Sequence, residues 1–237
     1  MIVMKRMLFA VALCCAVVAS SGAYAQKKLK DQEFRHVIVT LASGEKVDGY
    51  VHRDWNTSVF SVKKANYSFK LVPTPDSKEA VKYTAEQVDN IVFVEPTEGN
   101  PEGARWESRG LYNPIIGNMD RSTPTIMCVE KAGDNSTVYW WQAPDSDRMA
   151  DGSTLLYISS YYGIRLDNDG PVYMFMKDGR PDMGYIKIRF KKSDPELGDY
   201  LLTYFTKGKE GKAHRKELAE DPTMIMRVYD EYIGDKK

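Results

Sequence analysis

The sequence predicts a mainly β protein: antiparallel sheets, set out as a small N-terminal barrel-like module and a C-terminal antiparallel sheet, followed by a C-terminal amphipathic helix. Three observations carry this. Short runs of Val, Ile, Thr and Tyr, the last present 15 times, are broken every few residues by Gly, Asn and Asp, which is the pattern of half-buried strands between tight turns. Over Tyr185 to Lys191, Ile186, Ile188 and Phe190 alternate with Lys187, Arg189 and Lys191, the period-two signature of a strand with one wet face. Near the end, Ile225, Val228, Tyr229 and Tyr232 fall at i, i+3, i+4 and i+7, giving one apolar helical stripe.

The first 25 residues read as a cleavable secretory signal. Lys5 and Arg6 precede an uncharged small and apolar run from Met7 to Ala19, and Ala23-Tyr24-Ala25 places cleavage before Gln26. The run is shorter than the roughly 20 apolar residues a spanning helix needs, and Leu13 before Cys14 does not suit lipid attachment. Residues 26–35, with Lys27, Lys28 and Lys30, are expected to form a flexible N-terminus. All 33 acidic residues lie beyond residue 25 whereas Lys5 and Arg6 do not, which leaves 31 basic residues and a net charge of −2. That balance argues against nucleic-acid binding, which calls for a basic face. Cys14 and Cys15 leave with the signal, so Cys128 has no partner for an intramolecular disulfide; its apolar setting predicts a buried, inert thiol.

Residues 36–95 read as one compact module. Strands are expected over Val37–Leu41, Val47–Arg53, Val59–Val62, Ser68–Val72 and Val88–Val94, with turns at Ser43–Lys46 and Asn56–Thr57. Gly49 inside the second strand predicts a bulge or bend. Thr84 caps a single helical turn over Ala85-Glu86-Gln87, and Gln87 stands at the capping-box spacing. This order of strands, with Gly44-Glu45-Lys46-Val47-Asp48-Gly49-Tyr50-Val51 and Ile91-Val92-Phe93 at its two ends, resembles the small SH3-like and Sm-like barrels. The resemblance implies a fold and no chemistry.

Residues 96–124 are punctuated by Pro96, Gly99, Pro101, Gly103, Gly110, Pro114, Gly117 and Pro124, which predicts a linker or long loop. Residues 125–237 then form the second β-unit. Hairpin strands are expected over Thr125–Lys131 and Thr137–Gln142, a polar loop over Pro144–Gly152, and one bent strand or two short ones over Leu155–Leu166. Val172–Met176 is apolar on both faces, so it should lie centrally. Tyr185–Lys191 and Tyr200–Phe205 are the last strand candidates. Asp221 and Pro222 start the final helix and Gly234 stops it, with a less regular helix over Lys212–Glu220 before it. In outline the chain resembles the uncharacterised exported β-rich proteins of Gram-negative bacteria that end in a short helix.

Motifs for chemistry are not found. His36, His52 and His214 lack metal-ligand spacing, no nucleophile elbow is present, and no glycine-rich phosphate loop occurs. Asp167-Asn168-Asp169-Gly170 departs from a calcium loop because Arg165 stands where an acid is needed, and Asp145, Asp147 and Asp151 read as turn residues. No catalytic residue, metal or cofactor is therefore expected. The candidate binding residues are aromatic and basic. Tyr139-Trp140-Trp141 cannot bury both indoles in a one-sided sheet, so one is expected to be exposed or covered by a loop; an exposed indole would suit a sugar ring or a protein surface. Arg105, Trp106 and Arg109 form a second candidate lip, with Trp106 and Tyr112 also suited to anchoring their loop. These readings favour an exported cell-envelope binding or interaction protein, periplasmic or secreted, whose partner is an envelope protein or a glycan. A glycan-binding module using a Trp platform and an unrecognised hydrolase are the alternatives.

Overall fold

The computed structural model describes residues 33–52, 67–96, 103–112 and 124–236. The export signal, the Asn56–Thr57 turn and the Val59–Val62 strand candidate lie outside these residues. The described chain is mainly β, with 45% strand against 29% helix. One antiparallel sheet of nine strands holds β1 (Phe34–Leu41), β2 (Lys46–His52), β5 (Val88–Phe93), β6 (Arg105–Arg109), β7 (Thr125–Ala132), β8 (Ser136–Arg148), β9 (Thr154–Leu166), β10 (Val172–Lys177) and β11 (Arg180–Pro181). Its order is β11-β10-β9-β8-β7-β6-β5-β1-β2, and β3 (Ser68–Leu71) and β4 (Val81–Thr84) pair separately.

The N-terminal strands pack on each other around a shared core. Tyr50 bridges to Val72 at the end of β3, so the strands run β4-β3-β2-β1-β5. The capping box at Thr84 and Gln87 is formed around the 3-10 turn Ala85–Gln87. Gly49 carries no bulge. The β1–β2 register runs through it without a shift; a Cβ there would instead lie 2.8 Å from Leu71 Cγ and 2.9 Å from Val72 O. Its missing side chain lets β3 cross close over β2.

The middle of the sheet curls. β6 to β10 pair in sequence order, and Leu111, just past β6, makes a parallel bridge to Val172 of β10. Val172 N–H donates to Gly110 O at 2.8 Å and Tyr112 N–H to Val172 O at 3.0 Å. Strands β6 to β10 thus close on themselves. Alternation then sorts their side chains. Met127, Tyr139, Trp141, Val172 and Met174 pack together inside the curl. Val138, Ile164, Phe175 and Met176 point outward into the C-terminal helices. Gly163 permits this curvature, since a Cβ would lie 2.5 Å from Val172 Cγ1. Further back, Val37, Val39, Ile91, Trp106 and Cys128 form a third cluster, in which burial pushes the Cys128 thiol up to about 12.

Several expectations are corrected by this structure. Tyr185–Lys191 is helical: α1 (Met183–Tyr185), a π-turn (Ile186–Phe190) and α2 (Lys191–Ser193) run on without a break. Ile186 and Phe190 are buried at i and i+4 while Ile188 is 53% exposed, so the apparent alternation does not describe one face. Asp182 caps the segment, accepting from Gly184 N and Tyr185 N. Tyr200–Phe205 lies within α3 (Pro195–Thr206), where Leu197, Leu201 and Phe205 supply a stripe at four-residue spacing. Its start signals are strong, with Asp194 accepting from Glu196 N and Leu197 N and proline at the first position. The final helix and the less regular one expected before it are thus part of a larger helical layer, completed by α4 (Gly208–Glu220) and α5 (Met224–Gly234). Helix α5 starts after Thr223 rather than at Pro222. Arg105–Arg109, within the stretch read as linker, is a sheet strand. The polar loop over Pro144–Gly152 is largely strand, because β8 continues to Arg148. Among the described residues no helix is long and apolar enough to cross a membrane.

Candidate functional site

The two groups of sequence candidates lie on β6 and β8, the strands on either side of β7. Period two then divides them between faces. Tyr139 and Trp141 point into the curl, Trp141 being 3% exposed and stacked on Tyr161 at 5.6 Å. Trp140 points the other way, half-buried, with its ring 5.6 Å from that of Trp106. Trp106 is itself in the core, and Tyr112 is buried as well, as expected for anchors of this segment. Neither indole of the Trp140-Trp141 pair is exposed as a stacking platform.

Arg105, Arg109 and Tyr139 converge on a residue the sequence reading passed over, Glu107, which is 6% exposed. Arg105 Nη2 lies 2.6 Å from Glu107 Oε1, and Arg109 Nη2 lies 2.8 Å from Oε2. Tyr139 donates its hydroxyl to the same Oε2 at 2.7 Å. Arg109 Nη1 also donates to Asp89 Oδ1 at 2.8 Å and to Ser108 O at 2.8 Å. Burial raises the Asp89 carboxyl, but the Arg109 guanidinium outweighs it and holds the group below its usual range. Burial and the Glu107 charge push the Tyr139 phenol up to about 12. Two cations face two anions here, and the phenol keeps its proton at neutral pH. The arrangement therefore supplies neither a ready base nor a nucleophile from that phenol; it locks β5, β6 and β8 in register. Ser108 adds to the lock by donating to Ala85 O at 2.6 Å. An open cleft of about 460 Å³ lies beside it, lined by Thr40, Gly44, Glu86, Asp89, Ser108 and Arg109 among others. A signal for this cluster was present in the sequence: Arg105, Glu107 and Arg109 sit at period two, so in a strand they share one face.

The most distinctive surface is elsewhere. β8 and β9 are 13 residues each and stay paired from Ser136–Leu166 to Arg148–Thr154. Every residue from Ser146 to Leu156 is exposed, so the hairpin projects as an arm beyond the sheet. It carries Met149, Leu155 at 51% exposure and Leu156 at 60%. At its base the arm is braced. Asp145 accepts from Lys177, and from Tyr161 Oη at 3.0 Å. Ser159 Oγ donates to Asp178 Oδ2 at 3.0 Å. The Lys177 hydrogen bond holds the Asp145 carboxyl down at about 2, and the same bond raises Lys177. The turn Asp178–Gly179 ends β10 at this brace and opens into a cleft of about 540 Å³ that includes Arg180, Asp182 and Met183.

The remaining sequence candidates have structural partners. Asp167 Oδ1 accepts from Tyr229 Oη at 2.7 Å, and Asn168 donates to Gly133 O and Asp134 O, so this turn ties the β7–β8 hairpin to α5. His36 pairs with Asp48 at 3.0 Å and stacks on Tyr50. Among the described residues no group of three or more His, Cys, Asp or Glu side chains is placed to hold a metal ion. Comparison with known protein families, curated proteins and solved structures finds no match.

Proposed function

We propose that this chain is an exported cell-envelope protein that works by binding another macromolecule, with the β8–β9 arm as its contact element. One observation carries the reading: eleven consecutive residues, Ser146 to Leu156, stand clear of the body with large apolar side chains on both faces of the ribbon. A two-stranded ribbon is marginal alone in water, and exposed apolar groups clustered at a tip mark an interaction site. The brace around Asp145 and Lys177 supports the same reading, since it fixes the arm's direction and lowers the ordering cost of binding. Residues 1–25 support export. The strand order β4-β3-β2-β1-β5, with its 3-10 turn before the last strand, supports the likeness of residues 36–95 to SH3-like barrels, here as the scaffold behind the arm.

Site-specific photo-crosslinking in growing cells tests this. A photoreactive amino acid replaces Leu155 at the tip or Lys209 on exposed α4. The expected result is discrete higher-mass adducts in the envelope fraction from position 155 and none from position 209. No adduct from position 155 would overturn the reading.

A further inference from the structure

We infer that the free edge of β9, from Thr154 to Ile158, is the contact itself, and that its partner is a second copy of this chain, the two edges joining antiparallel across a two-fold axis. This rests on the reading of the arm as the binding element and goes beyond it in naming the partner.

The two edges of the arm are unlike. On the β8 side stand Pro144, which has no N–H to offer, and the charged Asp145, Asp147 and Arg148. Proline and charge are the usual protection of an exposed strand edge. On the β9 side, no charged residue and no proline occur from Ser153 to Ile164, and Thr154-Leu155-Leu156-Tyr157-Ile158 is rich in strand-forming residues. Such a segment left bare is a hazard of uncontrolled strand pairing, which a specific partner removes.

Backbone parity shows which groups await that partner. Ser160 N–H donates to Asp178 Oδ1 at 2.8 Å, and Ser160 O accepts from Asp178 N–H at 2.7 Å. The Ser160 backbone therefore faces the β10 side. The β8–β9 register runs without a shift, so the backbones of Ile158, Leu156 and Thr154 face the same way. β10 ends at Lys177, and among the described residues no strand pairs with β9 beyond that point. A copy of the same edge centred on Leu156 meets all three residues, setting Leu156 against Leu156 and Thr154 against Ile158.

Side chains and charge agree with a self-partner. The incoming strand must bring apolar groups to both faces, to cover Leu155 on one and Leu156 on the other, and it must not oppose like charges. This uncharged segment does both. In that register the partner's turn, with Met149 and Asp151, arrives at the Asp178–Gly179 turn. There the cleft offers exposed Arg180 for the carboxylate and Met183 for the apolar tip. The symmetric arrangement buries the same patch twice and closes, so it gives a dimer rather than a fibre.

Sedimentation of the protein purified after expression of the full chain tests the inference. The expected result is a reversible rise from monomer to dimer mass at micromolar concentrations. Leu156→Lys sets two like charges face to face at the axis and is expected to weaken association at least about 10-fold, with the circular dichroism unchanged because Leu156 is exposed. Leu156→Glu should behave likewise, and an equimolar mixture of the two variants should recover the dimer. Lys46→Glu, exposed on β2 at the opposite end of the sheet order, should leave association as it is. A protein that stays monomeric, or variants that associate as the parent does, would overturn the inference. Monomer together with adducts to a different protein from position 155 would leave the arm reading standing; monomer without such adducts would remove both.

Discussion

Replacing Glu107 by alanine is expected to lower the unfolding free energy by about 3–5 kcal/mol, the cost of breaking a buried ion pair from one side. The substitution strips Arg105 and Arg109 of the carboxylate that both contact and leaves the buried Tyr139 hydroxyl without its acceptor. Asp89 still holds Arg109 Nη1, which keeps the loss from being larger. Tyr139→Phe removes only one hydrogen bond, and about 1–2 kcal/mol is expected. Urea unfolding of the two variants separates these cases. A loss below about 1 kcal/mol for Glu107→Ala would show that the cluster does not hold the strands together.

Ending the chain at Asp221 should abolish cooperative folding. Helix α5 buries Met224, Ile225, Met226, Val228, Tyr229 and Tyr232, each worth about 1.5–3 kcal/mol when fully buried. Their combined contribution reaches the whole net stability of an ordinary domain, about 5–15 kcal/mol. The truncation also uncovers Val138, Ile164 and Phe175 on the outer face of the curl and removes the Tyr229 donor from Asp167. Near-ultraviolet circular dichroism with a thermal scan is the measurement. Loss of the aromatic signal and of the transition is expected; a melting curve like that of the whole chain would contradict the packing.

How much of this was legible depended on the periods of the chain. Val37–Leu41 and Val47–His52 announce themselves because one face is dry and the other wet. Tyr185–Lys191 misleads because seven residues are too few to separate period two from a helix that buries Ile186 and Phe190. The discriminating signals lay outside the run, in the capping carboxylates Asp182 and Asp194 and in Pro195. The tip of β8 was hidden for a different reason. Pro144, Asp145, Ser146 and Asp147 are turn formers, and they are in a strand only because β9 pairs with them. Glu107 was hidden because partners on other strands, Tyr139 on β8 two strands away and the Asp89 on adjacent β5 that holds Arg109, leave no mark in local sequence. Its own neighbours did leave one, in the alternation Arg105, Glu107, Arg109. For Trp140 and Trp141, alternation rightly sent the indoles to opposite faces. It was silent on the curl of β6 to β10, which gives the sheet two covered faces instead of one.

The central claim is that residues 144–158 form a paired, projecting ribbon and not a loop. Nuclear Overhauser contacts between Hα protons test it most directly. Residues whose backbones face away from β8 sit in the close, non-hydrogen-bonded pairs of the β8–β9 ladder. Strong Hα–Hα contacts are expected for Ser146 with Leu156, for Pro144 with Ile158 and for Arg148 with Thr154. Absence of all three, with random-coil shifts from Pro144 to Ile158, would contradict the ribbon and with it the binding element built on it.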